Sequence, residues 1–366
     1  MNLEAAARRV FAETYAEART RLIAAAALRG ASIKPYLNPN RGPDGGEIAT
    51  DTLWLGPKDA DNVLVMVSAT HGVEGFPGSA AEIDWLLENG GRDLPDGVAV
   101  LIVHAINPYG FAWLRRVTEE NVDLNRNFVD FSQPLPENPG YDELADAFVP
   151  DALDEATLME ADARVLAYET KHGRKELMKA RTGGQYKHKG GMFYGGTEPT
   201  WSRRTLEALI ADHDLPEREL VAVLDYHTGL GPYGYGEPIC GHTPGSINVE
   251  RAKTWYGPSV TQPDLGTSSS VPKVGLAEHG WMNALGASVS CVALEFGTYP
   301  PSNGLRVLRQ DHTLHNVGPV DWEAEETRRI KEDIRTHFAP RYPDWQEMVI
   351  FRCRQMIGLG LRALSR

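Results

Sequence analysis

The chain has 366 residues, with 37 Lys and Arg against 50 Asp and Glu and a formal net charge of −13. This balance argues against a nucleic-acid partner, which would need a basic face to neutralise phosphates. No apolar run approaches the roughly 18 residues needed to cross a bilayer, so no membrane partner is expected. Three cysteines, Cys240, Cys291 and Cys353, are odd in number and widely spaced; they form no disulfide framework and point to a reducing, cytoplasmic setting.

Residues 1–30 mix Glu and Arg throughout and predict an amphipathic helix, where a leader would show an uncharged apolar centre. IKPYLNP (33–39) and ATDTLWLG (49–56) predict short strands on either side of a turn rich in Pro and Gly. NVLVMVSAT (62–70) and GVAVLIVHAIN (97–107) are stronger, being continuous, β-branched and apolar on both faces, as central strands of a covered sheet are. SAAEIDWLLENGG (79–91) between them predicts a helix closed by glycine. Residues 130–200 change composition: YDELADAFVPDALDEATLMEADA is acidic and KHGRKELMKARTGGQYKHKGG is basic. The plain reading is two solvated helices that pair with one another; the sharper one is an insertion whose basic, Gly-rich end overhangs a site. ELVAVLDYHTG (219–229) and SVSCVALEFG (288–297) repeat the buried run ending in polar residues. Helical patterns follow at 201–214, 274–286, 321–338 and 344–366. This alternation predicts an α/β protein with a mixed, largely parallel central sheet flanked by helices, as one domain over 1–366 with an insertion at 130–200.

Four of the apolar runs end in functional side chains: His71 and Glu74, Asn107 and Tyr109, Asp225 and His227, and Glu295. In open α/β sheets ligands bind beyond the carboxyl ends of the strands, so these exits can meet. Alone, His71 and Glu74 mean little, and the usual explanation is a histidine bonded to a loop carbonyl. Two imidazoles and one carboxylate, however, are what a catalytic zinc uses, and His227 supplies the missing ring. Glu295 at the end of a buried strand is costly unless paired or functional, and is a candidate base for a zinc-bound water; a salt bridge to an arginine is the alternative. In INPYGFAWLRRVTEENVDLNRNF (106–128), Asp123, Asn125 and Arg126 follow closely on Arg115 and Arg116. Arginine clusters bind carboxylates and stabilise oxyanions, against the alternative of a helix cap with surface arginines.

The ordered set HxxE, NPxGF, RR…VDLNRNF, DYHTG and a late LEFG resembles the zinc carboxypeptidases of the carboxypeptidase A superfamily. It resembles equally their amidohydrolase relatives, the succinylglutamate desuccinylases and aspartoacylases, and is most similar to a bacterial branch catalogued as a domain of unknown function. The resemblance spans roughly residues 60–300 and implies a zinc-carboxypeptidase-like fold. It implies that His71, Glu74 and His227 bind Zn2+ and that Glu295 is general base and proton shuttle. Arg126 with Asn125 would hold a substrate carboxylate, Arg116 or its neighbour Arg115 would polarise the scissile carbonyl, and Asp123 would orient His71. The mobile tyrosine of the carboxypeptidases has four candidates here, Tyr186, Tyr194, Tyr233 and Tyr299.

These residues lead to the expectation of a zinc metallohydrolase acting as a carboxypeptidase-like metallopeptidase on small peptides. Two alternatives share the fold: an amidohydrolase that deacylates N-acyl amino acids, and a binding module without catalysis. A serine hydrolase would need a GxSxG elbow, and none occurs. GLGPYG (229–234) matches a dinucleotide fingerprint but is followed by no helix pattern, and is read as a loop beside the metal. Oligomeric state and side-chain preference leave no signature in the sequence.

Overall fold

The two strongest β-branched runs lie side by side at the centre of one seven-stranded sheet, as the computed structural model shows for residues 2–88 and 90–365. Met1, Asn89 and Arg366, which fall within predicted helices, lie outside the described residues. The strands are β1 (Ile33–Arg41), β2 (Glu47–Leu55), β3 (Asn62–Val67), β4 (Val98–His104), β5 (Leu220–Tyr233), β6 (Glu237–Ile239) and β7 (Val289–Gly297), in the spatial order β1-β2-β4-β3-β5-β7-β6. β4, β3, β5 and β7 are parallel, and antiparallel strands flank them: β1 and β2 on one side, β6 on the other. The mixed, largely parallel sheet is as expected.

Side chains alternate across the sheet because successive residues of a strand point to opposite faces. Leu64 and Met66 pack beneath α1 (Leu3–Val10), α2 (Tyr15–Leu28), α3 (Gly75–Glu88), α9 (Ile247–Tyr256) and α13 (Pro343–Leu364). Val63, Val65 and Val67 pack on the other face, beneath α8 (Trp201–Asp212) and α10 (Ala277–Leu285). Both faces being covered explains why these strands read as continuous apolar runs. A short helix, α4 (Pro108–Ala112), follows β4.

Some elements differ from the expectation. The first thirty residues form two helices, since Asn2 caps α1 and Thr14 caps α2, with Phe11 extended between them. Residues 130–200 contain three helices, α5 (Pro139–Phe148), α6 (Glu155–His172) and α7 (Arg174–Thr182). Val149 leaves the helical conformation ahead of Pro150, and Gly173 (φ 86°) divides α6 from α7. They are not solvated partners of each other alone: Tyr141, Leu144, Phe148, Val165 and Leu177 share a core with α11 (Pro301–Asn316) and α12 (Glu325–Phe338). Residues 229–233, read as a loop, continue β5 across a register shift between Thr228 and Tyr233.

From β3 the chain crosses through α3 to β4 on one side, while β5 joins β3 on the other. The strand order therefore reverses at β3, and the crevice between the ends of β3 and β5 is where such a sheet places a ligand.

Candidate metal centre and its cavity

Beyond Val67 the chain turns with Ala69 in the left-handed region (φ 61°) and delivers His71, then Glu74 from a single 3-10 turn. Gly72 between them lies against the backbone of Gly110, where a Cβ would overlap. The Gly72 and Val73 N–H groups donate to the carbonyls of Arg116 and Arg115 at 3.2 and 2.9 Å, so the segment expected to carry the arginines also holds the ligand turn. On β5, Asp225 and His227 are two apart and share a face. The parallel register then sets Glu295 of β7 directly beside His227.

The structure brings His71, Glu74 and His227 together. His71 Nδ1 lies 3.2 Å from His227 Nδ1 and 3.1 Å from Glu74 Oε1, and His227 Nδ1 lies 3.5 Å from Glu74 Oε2. Bonds of about 2.0–2.1 Å to a tetrahedral zinc require donors roughly 3.4 Å apart, so the spacing fits. The far nitrogen of each ring faces a carboxylate: His227 Nε2 is 3.0 Å from Asp225 Oδ2, and His71 Nε2 is 3.2 Å from Asp123 Oδ1. Asp225 favours the proton on His227 Nε2 and turns the Nδ1 lone pair of that ring inward. His71 Nε2 faces Asp123, an acceptor, and also an Arg116 nitrogen at 2.8 Å that can only donate, so these two neighbours make opposite demands on it. Burial alone would lower the His227 pKa, yet the Asp225 and Glu74 carboxylates push it up to about 10. Burial likewise opposes the Glu74 charge, but His71, His227 and Arg116 hold its carboxyl well below the usual carboxylate range. The pocket is built for positive charge.

A second trio, Cys240, His242 and Glu278, also has its donor atoms close together. His242 Nε2 accepts the Cys291 N–H at 2.8 Å, so the ring proton sits on Nδ1, the nitrogen that faces Glu278. Burial also pushes the Cys240 thiol up to about 12. A protonated nitrogen and a protonated thiol are not ligands.

A cavity of about 230 Å³ opens on the first trio, and Arg116, Asn125, Arg126 and Glu295 line it too. Glu295 Oε1 accepts the Leu230 N–H at 3.1 Å, and Oε2 has no hydrogen-bond partner among the described residues. Burial and the Glu74 charge push its pKa up to about 7. Arg126 is buried, donates to the carbonyls of Asn125 and Thr182, and has no carboxylate partner among the described residues. Asn125 Oδ1 accepts the Ala277 N–H at 2.7 Å, which anchors this segment to α10.

The two adjacent arginines part company. Arg116, one of the two candidates for the scissile carbonyl, lines the cavity, and three of its five N–H groups engage Glu74 Oε1 (2.7 Å), His71 Nε2 (2.8 Å) and Asp123 Oδ2 (3.0 Å). Arg115 is not brought to the cavity: it turns into the core to Asp311 (3.0 Å) and Asn121 (2.9 Å). Asp123 lies behind the wall, bonded to Arg116, with its Oδ1 also accepting the Asn125 N–H. Asn107 caps α4, and Tyr109 stacks on Trp113 away from the cavity. None of the four candidate tyrosines lines the cavity; Tyr186 donates to the Arg126 carbonyl at 2.7 Å.

Several lining residues escaped the sequence reading. Lys273 and Arg181 face the cavity with no carboxylate within ion-pair distance among the described residues, and Met178, Met192 and Phe193 come from the 130–200 region. Arg181 lies in the basic stretch that the sharper sequence reading sets over a site, though nothing there singles it out, and VPK around Lys273 carries no signal of a site. Asp225 did carry one, since Asp-X-His on a strand sets a carboxylate beside an imidazole.

No curated protein matches the chain. Among solved structures it is similar to bovine thrombin-activatable fibrinolysis inhibitor in complex with tick carboxypeptidase inhibitor, at 10% identity and a TM-score of 0.45, over 96% of this chain and 98% of that one. It is also similar to an aspartoacylase family protein from Mesorhizobium loti (16% identity, TM-score 0.37, 80% of this chain and 69% of that one). A succinylglutamate desuccinylase from Silicibacter sp. matches at 14% identity and a TM-score of 0.37, over the same shares. The family model described as "Protein of unknown function (DUF2817)" matches residues 11–352, and the chain belongs to that family.

Proposed function

We propose that this protein is a zinc-dependent hydrolase of amide bonds, carboxypeptidase-like, acting on small substrates that carry a free carboxylate. The observation that carries the reading is the convergence of three donors at tetrahedral spacing with the Glu295 carboxyl in one cavity. When bound, the ion would supply Lewis acidity toward a carbonyl and an acidified water. His71, Glu74 and His227 hold it, while Asp123 and Asp225 orient the rings. Arg116 braces Glu74 and Asp123. Glu295 takes the proton of the attacking water on Oε2 and returns it to the leaving amine, a role suited to a carboxyl with a pKa of about 7. Arg126 binds the substrate carboxylate through charge-assisted hydrogen bonds, and Arg181 and Lys273 add to the same positive wall.

The 130–200 insertion is the substrate-side wall on this reading. The cavity's modest volume of about 230 Å³ also favours a second one, deacylation of N-acyl amino acids by the same machinery. Buried free thiols at Cys240, Cys291 and Cys353 suit a cytoplasmic enzyme.

The test is metal analysis of the purified protein, followed by hydrolysis of benzoylglycyl-amino acids and N-acetyl-amino acids with and without a chelator. One zinc per chain and chelator-sensitive cleavage are expected, the faster series choosing between the readings. Glu295→Gln should keep the zinc and lose turnover by about a thousandfold, as removal of a general base in concert with electrostatic stabilisation does. Near-normal turnover in that variant would remove Glu295 from its role.

A further inference from the structure

His337, near the end of α12, was not singled out by its sequence surroundings, yet it is 2% exposed and lines the cavity. Its tautomer can be read from its neighbours. Arg306 donates to Asn303 Oδ1 through Nε at 3.1 Å and through Nη2 at 3.0 Å, which fixes the oxygen end of that amide. The Asn303 Nδ2 group therefore faces His337 Nδ1, at 3.0 Å, and donates to it. Nδ1 accepts, so the proton of the neutral ring sits on Nε2. Arg306 is itself anchored by Asp333 at 2.8 Å and by Gln310 at 3.0 Å.

Nε2 has no hydrogen-bond partner among the described residues, and it stands next to Gly304, another lining residue. A Cβ at Gly304 would come within 3.1 Å of Nε2, so the glycine keeps this N–H uncovered. The Tyr299 ring stacks on the imidazole with centroids 5.9 Å apart, and the Phe338 ring meets it edge-on at 4.7 Å. The ring is thus fixed in tautomer and in orientation. Burial lowers its pKa to about 4, which agrees with a neutral imidazole.

Three of the five N–H groups of Arg116 are engaged by its neighbours, and the tyrosines stand off the cavity. A substrate carbonyl oxygen on the α11–α12 side of the cavity, where Gly304 and His337 stand, can take a donor from that wall. We infer that His337 is that donor: its Nε2–H, aimed by Asn303 and left open by Gly304, hydrogen-bonds an amide carbonyl oxygen of the bound substrate. His337 is then a substrate-contacting residue, and Asn303 and Arg306 are positioning residues. The inference rests on the amide-hydrolase reading and adds to it a residue outside the resemblance.

Four variants test it, with zinc content measured on each. Gly304→Ala is the sharpest, because alanine suits a helix better than glycine. It should melt no lower than wild type yet lose at least tenfold in kcat/KM on the benzoylglycyl and N-acetyl panels. His337→Phe should lose as much, and His337→Gln, which restores an N–H at a different reach, should fall between. Asn303→Asp should accept a proton from Nδ1 and strip it from Nε2. Long-range 1H–15N spectra of histidine-labelled protein, with the His337 signals identified by their loss in His337→Phe, should show Nε2–H in wild type and Nδ1–H in Asn303→Asp. Nδ1–H in the wild type overturns the inference. So does a wild type that cleaves the panel while His337→Phe and Gly304→Ala cleave it equally well. A wild type that cleaves nothing overturns the hydrolase reading and the role assigned to His337 with it, whatever the tautomer, so the two failures are told apart.

Discussion

His227 and Arg126 owe their behaviour to what their nearest neighbours do or do not supply. His227 has a carboxylate at each nitrogen, Asp225 on the outer one and Glu74 toward the inner one. Removing the outer partner frees the ring to rotate and lets the proton move to the wrong nitrogen. Asp225→Ala should therefore weaken zinc binding by about 10- to 100-fold, read by competition with a chromophoric chelator; unchanged affinity would show that Asp225 does not orient the ring. Arg126 is the opposite case, a buried guanidinium bonded to carbonyl oxygens and to no carboxylate among the described residues. Its charged hydrogen bonds to a substrate carboxylate should contribute about 1.5–3 kcal/mol. Arg126→Ala should then lower kcat/KM by roughly 10- to 150-fold on free acids, while their carboxamide analogues, already poor substrates, should change little. Equal losses on both series would argue for a purely structural arginine.

At the scale of elements, what was legible followed from periodicity. β3 and β4 could be read because both faces are buried, and α8, α10, α12 and α13 because their apolar stripes repeat at helical spacing. The ligands could be read because each stands where an apolar run stops. His337 could not, because Asn303 and Arg306, which fix its tautomer, lie on another helix some thirty residues away. The fate of Arg115 could not either, since nothing local distinguishes it from Arg116; the choice is made by Asp311 on α11 and Lys331 on α12. Asp311 Oδ2 receives Arg115 at 3.0 Å and Oδ1 receives Lys331 at 2.6 Å, and this buried cluster ties both helices to the segment that holds the ligand turn. Burial would raise the Asp311 pKa, but Lys331 and Arg115 outweigh it and hold the carboxyl below the usual carboxylate range. A depressed folded pKa contributes stability that is complete above the unfolded value of about 3.9 and is lost as the pH falls below it. Asp311→Asn should destabilise by about 3–5 kcal/mol at neutral pH, the cost of leaving buried cations unpaired. Urea unfolding at several pH values should also show a shallower loss of stability below about pH 4 in the variant than in wild type. A variant with the wild-type acid limb would assign that limb to other carboxylates.

For the whole molecule, the decisive fact is how far apart in the chain the ligands are. His71 and His227 are 156 positions apart, and they meet only because β3 and β5 pair in register. An unfolded chain cannot bring these donors together, so a bound ion stabilises the folded state by an amount set by its affinity, about 4 kcal/mol when free zinc is a thousand times the Kd. Folding and metal binding are one linked equilibrium. A chelator should therefore lower the melting temperature of the purified protein by several degrees, and added zinc should restore it. A double variant, His71→Ala with His227→Ala, should melt near the chelated value and ignore both additions. Glu295→Gln separates holding the ion from using it: the variant should show the full chelator-dependent shift despite its roughly thousandfold loss of turnover. If wild-type protein carrying one zinc melted at the same temperature with and without the chelator, the ion would lie somewhere other than between β3 and β5.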